Sequence, residues 1–202
     1  KHLYKLCDMC KDNGLKDVFI HCLTDGRDCD PKSGYGFVEN LLKHLKTSVG
    51  EIATLTGRYY TMDRDKRWER IKIGYDALVN SIGKKTSNLL KAILDSYKEN
   101  ITDEFIKPII CTDEDGEPVA AIKNDDVVIC FNFRTDRLRE ITTALTQKDF
   151  PEQQMKTLTL YYLTMTRYDD TFKNVKVVFE KDNVNMTLGE YLSILGKKQL
   201  RI

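Results

Sequence analysis

Three short stretches hold the residues whose types and spacing could do chemistry. Gly57–Arg70 reads Gly-Arg-Tyr-Tyr-Thr-Met-Asp-Arg-Asp-Lys-Arg-Trp-Glu-Arg and follows the apolar run Ile52–Leu55. Asp25-Gly-Arg27-Asp28 follows Val18–Leu23, and Asn132-Phe-Arg134-Thr-Asp-Arg137 follows Val127–Phe131. Each apolar run reads as a buried strand. Arg27, Asp28, Arg58, Arg64, Arg134 and Arg137 therefore fall where strands end. Ligands of open α/β sheets bind outside those carboxyl ends. Guanidinium groups hold carboxylates and phosphates by paired, planar N–H bonds. An aspartate among them can accept or deliver a hydroxyl proton. The pattern predicts an anion site with Asp28 as its acid–base residue.

Plainer explanations compete at each position. Arg27 and Asp28 can form a solvated turn pair that contributes little. Arg58 and Arg64 can be ordinary charges at a helix start, but cations are unfavourable there unless an anion is also present. Arg134 and Arg137 can pair with Asp136 or Glu140. Their i,i+3 spacing instead predicts one shared face at a helix N-terminus, which suits a phosphate. Arg67 and Arg70 lie further into a helix, within reach of Asp63, and Arg139 points to solvent on another face.

The other reactive residue types point to no metal and no nucleophile in this segment. His21 reads as a core residue of a strand, and His2 and His44 stand alone on helices. Ser33 lacks the strand–turn–helix context of a nucleophile elbow. Cys7 and Cys10 form a Cys-x-x-Cys on a helical pattern with Leu3 and Leu6, without the second pair that a metal site needs. Cys22 and Cys130 sit in apolar strands, where free cysteine behaves as a small hydrophobe. The six cysteines fit a reducing, cytoplasmic compartment better than a disulfide framework.

The elements that must position these groups alternate. Helical spacing predicts helices over Leu3–Lys11, through Phe37, Leu41 and Leu45, through Trp68, Ile71, Tyr75, Leu78 and Ile82, over Thr86–Glu99, and through Leu138, Ile141 and Leu145. Strands are expected at Asp17–Leu23, Ile52–Leu55, Val127–Phe131, Leu158–Met165 and Val175–Phe179. Phe105–Cys111 and Pro118–Ile122 suggest an antiparallel, edge-like hairpin around Glu114-Asp-Gly116. Thr187, with Glu190 three residues on, predicts a capping box for a last helix, Leu188–Leu195. The fold class is α/β, a layered α/β/α domain with a mixed, mostly parallel sheet.

The 202 residues carry a formal net charge of only +1. A nucleic-acid domain usually shows a basic excess, so that class is disfavoured. No stretch approaches a membrane span. The chain opens on a helical pattern at Lys1 and closes on Gln199-Leu-Arg-Ile202, which reads like the start of a strand. Both ends look cut from a longer protein.

Taken in order, these motifs resemble the cofactor-independent phosphoglycerate mutases. The resemblance rests on His21-Cys-Leu-Thr-Asp-Gly-Arg-Asp28 with Pro31-Lys-Ser33, on Gly57–Arg70, on Asn132-Phe-Arg-Thr-Asp-Arg137, and on Thr187-Leu-Gly-Glu190 with Lys198-Gln-Leu-Arg201. It implies residues 1–202 are one substrate-binding domain of a two-domain isomerase. The other, phosphatase-like domain would hold two manganese ions and a serine nucleophile. The resemblance further implies that Arg27, Asp28, Arg58, Arg64, Arg134 and Arg137 bind 3- and 2-phosphoglycerate, with Asp28 near the exchanging hydroxyls. It implies a monomeric glycolytic and gluconeogenic enzyme with no 2,3-bisphosphoglycerate requirement, and an isolated segment without activity. A family histidine and a family lysine would flank this segment, and Arg167 stands at a variable position. A non-catalytic sugar-phosphate or organic-acid binding module is the alternative. An RNA-binding role is third, because Tyr59 and Tyr60 form no repeated stacking platform.

Overall fold

The computed structural model describes residues 1–180 and 184–200. The strand expected from Gln199 onward runs into residues outside that range. The elements are helix α1 (His2–Asp12), strand β1 (Phe19–Thr24), α2 (Gly34–Leu45), β2 (Glu51–Gly57), the short α3 (Arg58–Thr61), α4 (Trp68–Val79), β3 (Lys84–Thr86), α5 (Leu89–Lys98), β4 (Ile109–Cys111), β5 (Val127–Cys130), α6 (Arg139–Thr146), β6 (Tyr161–Thr166), β7 (Val175–Phe179) and α7 (Leu188–Ile194).

The α/β class and the mostly parallel pairing are present, carried by two sheets. One has the order β1-β2-β4-β3 and the other β5-β6-β7. Among the described strands β2 pairs antiparallel with β4, and the other four strand pairings are parallel. Alternate side chains of a strand point to opposite faces, and β1 uses both. Cys22 packs with α1, α2 and α5, in a core built on Val38, Leu41, Ile93 and Leu55. Leu23 packs with α4 and α6, in a second core built on Ile71, Tyr75, Ile141, Leu145 and Tyr162. That two-sided burial is what the continuous apolar runs require.

Two expected elements differ. The hairpin at residues 105–122 shrinks to β4 and a single bridge between Thr112 and Pro118. Proline offers no N–H to a ladder, and the remaining pairing is the Val119 N–H to the Cys111 carbonyl and the Asp113 N–H to the Glu117 carbonyl, both 2.9 Å. The strand is also interior rather than edge-like, between β2 and β3, with Ile110 fully buried. Thr86 does not open a helix. It ends β3, which pairs with β4, and Asn88 caps α5 by accepting the Lys91 N–H at 3.0 Å. The expected Thr187 cap of α7 is present, with Thr187 accepting the Glu190 N–H at 3.3 Å, but the box does not close on the cap itself: Glu190 accepts the N–H of Met186, one residue earlier, at 2.7 Å.

Candidate functional site

Because β1 and β2 run parallel, their carboxyl ends lie side by side, at Thr24 and Gly57. Under both ends sits the tight turn Asp103–Phe105. Thr24 Oγ1 donates to the Asp103 carbonyl at 2.8 Å, and the Gly57 N–H donates to the Ile106 carbonyl at 2.8 Å. The approach is so close that a Cβ on Gly57 would collide with the Glu104 carbonyl oxygen. Gly26 combines the same closeness, 2.7 Å to Asp103 Cβ, with a φ of +65° that L side chains rarely adopt. Asp103 is itself buried. It accepts the Gly34 N–H at 2.7 Å and the Tyr97 hydroxyl, tying the Asp103–Phe105 turn to α2 and α5.

On this base the charged groups interlock. Asp25 accepts the N–H groups of Arg27 and Asp28, both at 3.1 Å, which shapes the turn. Arg58 is 5% exposed, and its Nη1 donates to Asp25 at 2.6 Å and to Asp28 at 2.9 Å. Arg134 Nη1 stands 3.7 Å from the same Asp28 oxygen, and its Nε 3.2 Å from Asp136. Arg64 donates to Asp136 at 2.8 Å. Arg27 reaches only Glu104, at 3.6 Å, and is otherwise exposed. Arg137 donates to the Met62 carbonyl at 3.3 Å, while its buried Nε has no partner among the described residues.

The electrostatics follow from these contacts. Hydrogen bonding to Arg58, and then its charge, hold the Asp28 carboxyl below the usual carboxylate range. Burial pushes Asp25 up, but Arg58 and the two turn N–H groups outweigh it and leave it low. Burial likewise opposes the charge of Asp136, and Arg64 and Arg134 overcome it. Arg137 goes the other way. Burial lowers its pKa, and the guanidiniums of Arg64, Arg58 and Arg27 lower it further, against Asp136. The protein thus supplies carboxylates to Arg58, Arg64 and Arg134, and leaves Arg137 short of negative charge.

All six residues named from the sequence come together at one end of the fold, with one correction to how they are held. Arg134 and Arg137 do not share a helix face, because α6 begins only at Arg139. They lie in the irregular segment after β5, whose bends aim them separately. Arg139 is not simply solvated: its Nε donates to the Tyr168 carbonyl at 3.0 Å. Arg167, a strand-end arginine, is occupied by both carboxylate oxygens of Glu180. Asp136 pairs with Arg134, as the plainer explanation expects, and also holds Arg64; Asp25, which holds Arg58, has no role in the motif reading. The signal for Asp25 was its place beside an arginine at a buried strand end, where an arginine needs a counter-charge. His21 behaves as expected, bonded to Thr54 Oγ1 at 2.9 Å, with burial lowering its pKa to about 4. All six cysteines are free thiols.

Residues 1–170 match the family model described as the N-terminus of BPG-independent PGAM. The chain belongs to the 2,3-bisphosphoglycerate-independent phosphoglycerate mutase family. It is 57% identical over 201 residues to the phosphoglycerate mutase of that type from Flavobacterium psychrophilum, and 54% identical over 202 residues to that of Bacteroides fragilis. All of this chain is covered in both, but only 40% and 39% of the relatives. The chain thus spans about two fifths of the length of these phosphoglycerate mutases. A crystal structure of Leishmania mexicana phosphoglycerate mutase, determined at low cobalt concentration, superposes with a TM-score of 0.84 at 29% identity. That match covers 96% of this chain and 37% of the Leishmania phosphoglycerate mutase chain.

Proposed function

We propose that the chain is the substrate-binding domain of an isomerase that interconverts 3-phosphoglycerate and 2-phosphoglycerate. The observation that carries this reading is Arg137. A partly buried guanidinium with an unpartnered Nε, set among Arg27, Arg58 and Arg64, calls for a ligand bearing several negative charges. Phosphoglycerate, with a phosphate and a carboxylate, is such a ligand. The relatives' names support its choice over other sugar phosphates and organic acids. The same names support a reaction that needs no 2,3-bisphosphoglycerate.

In this reading Arg137, Arg134, Arg64 and Arg27 bind and orient the anionic groups. Arg58 is committed to Asp25 and Asp28, and places the Asp28 carboxylate beside the ligand hydroxyls. A phosphoryl group moves to a serine of the rest of the enzyme and returns to the other hydroxyl of the retained glycerate. Holding the glycerate and excluding water keep the transfer from becoming hydrolysis. Among the described residues, no group of three or more His, Cys, Asp or Glu side chains is placed to hold a metal. The two manganese ions of this proposal are placed in the rest of the enzyme by the family resemblance, and no step here runs through them. Among the described residues, no helix is long and apolar enough to cross a membrane, and the cytoplasm and a monomeric state are part of the proposal. The test is a coupled assay without 2,3-bisphosphoglycerate. The full-length protein is expected to turn over 3-phosphoglycerate, and residues 1–202 on their own are not. Binding of phosphoglycerate by a full-length protein that never turns over would favour a binding module instead.

Lysine replacements separate ligand contacts from structural ones. Arg137→Lys keeps a charge but loses the planar, two-nitrogen contact. One charge-assisted hydrogen bond is worth about 1.5–3 kcal/mol, so kcat/KM of the full-length protein is expected to fall roughly tenfold to a hundredfold. Arg134→Lys is expected to fall in the same direction. Arg139→Lys loses its bond to the Tyr168 carbonyl, so it is expected to lower Tm slightly and leave kcat/KM alone. Equal, small kinetic effects at all three positions would remove the anion site.

A further inference from the structure

One buried residue outside the guanidinium cluster holds the loop that carries Arg27 and Asp28 on both sides of Asp28. Asp103 is 1% exposed and opens the turn Asp103–Phe105. Its carbonyl accepts Thr24 Oγ1 at 2.8 Å, at the last residue of β1, where the loop begins. Its N–H donates to the Pro31 carbonyl at 2.9 Å, beyond Asp28. One carboxylate oxygen accepts the Gly34 N–H at 2.7 Å, at the first residue of α2, where the loop has ended. The other accepts the Tyr97 hydroxyl from α5. The contact at the loop exit leaves no room for a side chain: a Cβ on Gly34 would collide with the Asp103 carboxylate.

The same turn reaches the neighbouring strand end. The Gly57 N–H, directly before Arg58, donates to the Ile106 carbonyl at 2.8 Å. Glu104 Oε1 stands 3.6 Å from Arg27 Nη1. Arg64, Arg134 and Arg137 are held from elsewhere, by Asp136, Asp28 and the Met62 carbonyl. The turn therefore underlies one half of the site, the half with Asp28 and Arg58.

A polar residue this deeply buried needs partners, and every polar group of Asp103 has one. A fully satisfied buried network is rigid. We propose that Asp103 is a positioning residue, which clasps the loop before and after Asp28 and so sets where Asp28 and Arg58 stand relative to the ligand. Its consequence for turnover rests on the reading of Asp28 as the acid–base group, while the clasp itself does not. A purely stabilising Asp103 would change Tm and leave the kinetics of the folded protein alone. A positioning Asp103 changes kcat in protein that is still folded, because misplacing a group near the chemistry by about 1 Å can cost on the order of a hundredfold. The arginines on the other segments still bind the ligand, so KM moves little.

The test uses the full-length protein. Thr24→Val keeps the shape of the side chain and loses its hydroxyl, whereas Thr24→Ser keeps the hydroxyl. Thr24→Val is expected to lower kcat for 3-phosphoglycerate about tenfold, and Thr24→Ser to stay within about twofold of wild type. Asp103→Ala frees the Gly34 N–H and is expected to lower kcat about a hundredfold at temperatures where the variant is folded. Asp103→Asn can accept the Gly34 N–H and donate to the Tyr97 oxygen, so it is expected to restore kcat to within a few-fold. KM is expected to stay within a few-fold in all four variants. Hydrogen exchange is measured on the same proteins. Thr24→Val and Asp103→Ala are expected to speed exchange in residues 25–33 and to leave residues 62–67 at the wild-type rate. Wild-type kcat in folded Thr24→Val and Asp103→Ala, or faster exchange spread evenly over the protein, would overturn the proposal. A wild type that turns over no 3-phosphoglycerate would overturn the mutase reading alone, and the exchange pattern would still decide the clasp.

Discussion

Arg58→Met is expected to lower kcat/KM of the full-length protein by about a hundredfold, although this side chain is the least exposed of the arginines at the site. The reason is positional. Arg58 Nη1 bridges the carboxylates of Asp25 and Asp28, at 2.6 and 2.9 Å. Without it the two carboxylates face each other with only Arg134, 3.7 Å from Asp28, as a counter-charge, and the turn that presents Asp28 spreads. Misplacing a group near the chemistry by about 1 Å can cost on the order of a hundredfold. A stability signature accompanies the kinetic one. Arg58 holds both carboxyls below their usual range. For such groups the stabilisation is present above the unfolded pKa and is lost as pH falls through the folded one. The wild type is therefore expected to lose Tm as pH falls below the ordinary carboxylate range, and Arg58→Met to show a shallower acid-side decline from a lower starting value. The measurements are kcat/KM and Tm against pH. A variant with wild-type kinetics would reduce Arg58 to a structural tie.

Asp28→Asn is expected to cut kcat by about 10²–10⁴, the usual contribution of a positioned acid or base. Asp28 is half exposed and lies at the edge of the guanidinium cluster, so the amide fits its place and folding is spared. Arg58 retains Asp25, and phosphoglycerate binding is expected to stay within a few-fold. Arg58 makes ionised Asp28 a weak base in the free protein. A bound phosphate or carboxylate raises its pKa by adding negative charge nearby, so ligand binding itself readies it to take a hydroxyl proton. Turnover, calorimetric binding of 3-phosphoglycerate and Tm are measured together. Wild-type turnover in the variant would leave Asp28 as a turn residue only.

The buried strands were the most legible part of the chain. Val18–Leu23, Ile52–Leu55 and Val127–Phe131 are short, β-branched or aromatic, and bounded by Gly, Asp or Asn, so each strand end, and the arginines on it, could be placed within about two residues. The shorter elements were not legible. Lys84–Thr86 has no apolar signature and pairs only because β4 lies beside it. Gly57 could be read as a helix boundary, but not as the point where the Glu104 backbone closes on β2. The segment before α6 carried helical spacing through Arg134 and Arg137, yet tertiary contacts delayed the helix to Arg139.

By itself the sequence determined the α/β class, the strand ends and the six residues that meet there, because burial period and residue type are local properties of a chain. Only the tertiary structure decided how their charges are satisfied. Which carboxylate meets which guanidinium depends on segments far apart in sequence: Asp25 with Arg58, and Asp136 with Arg64. In a buried place the strength and even the sign of an electrostatic effect depend on distances of a few ångströms. No spacing along the chain encodes those distances, and they are what leave Arg137 without a carboxylate partner among the described residues while Arg58, Arg64 and Arg134 are paired.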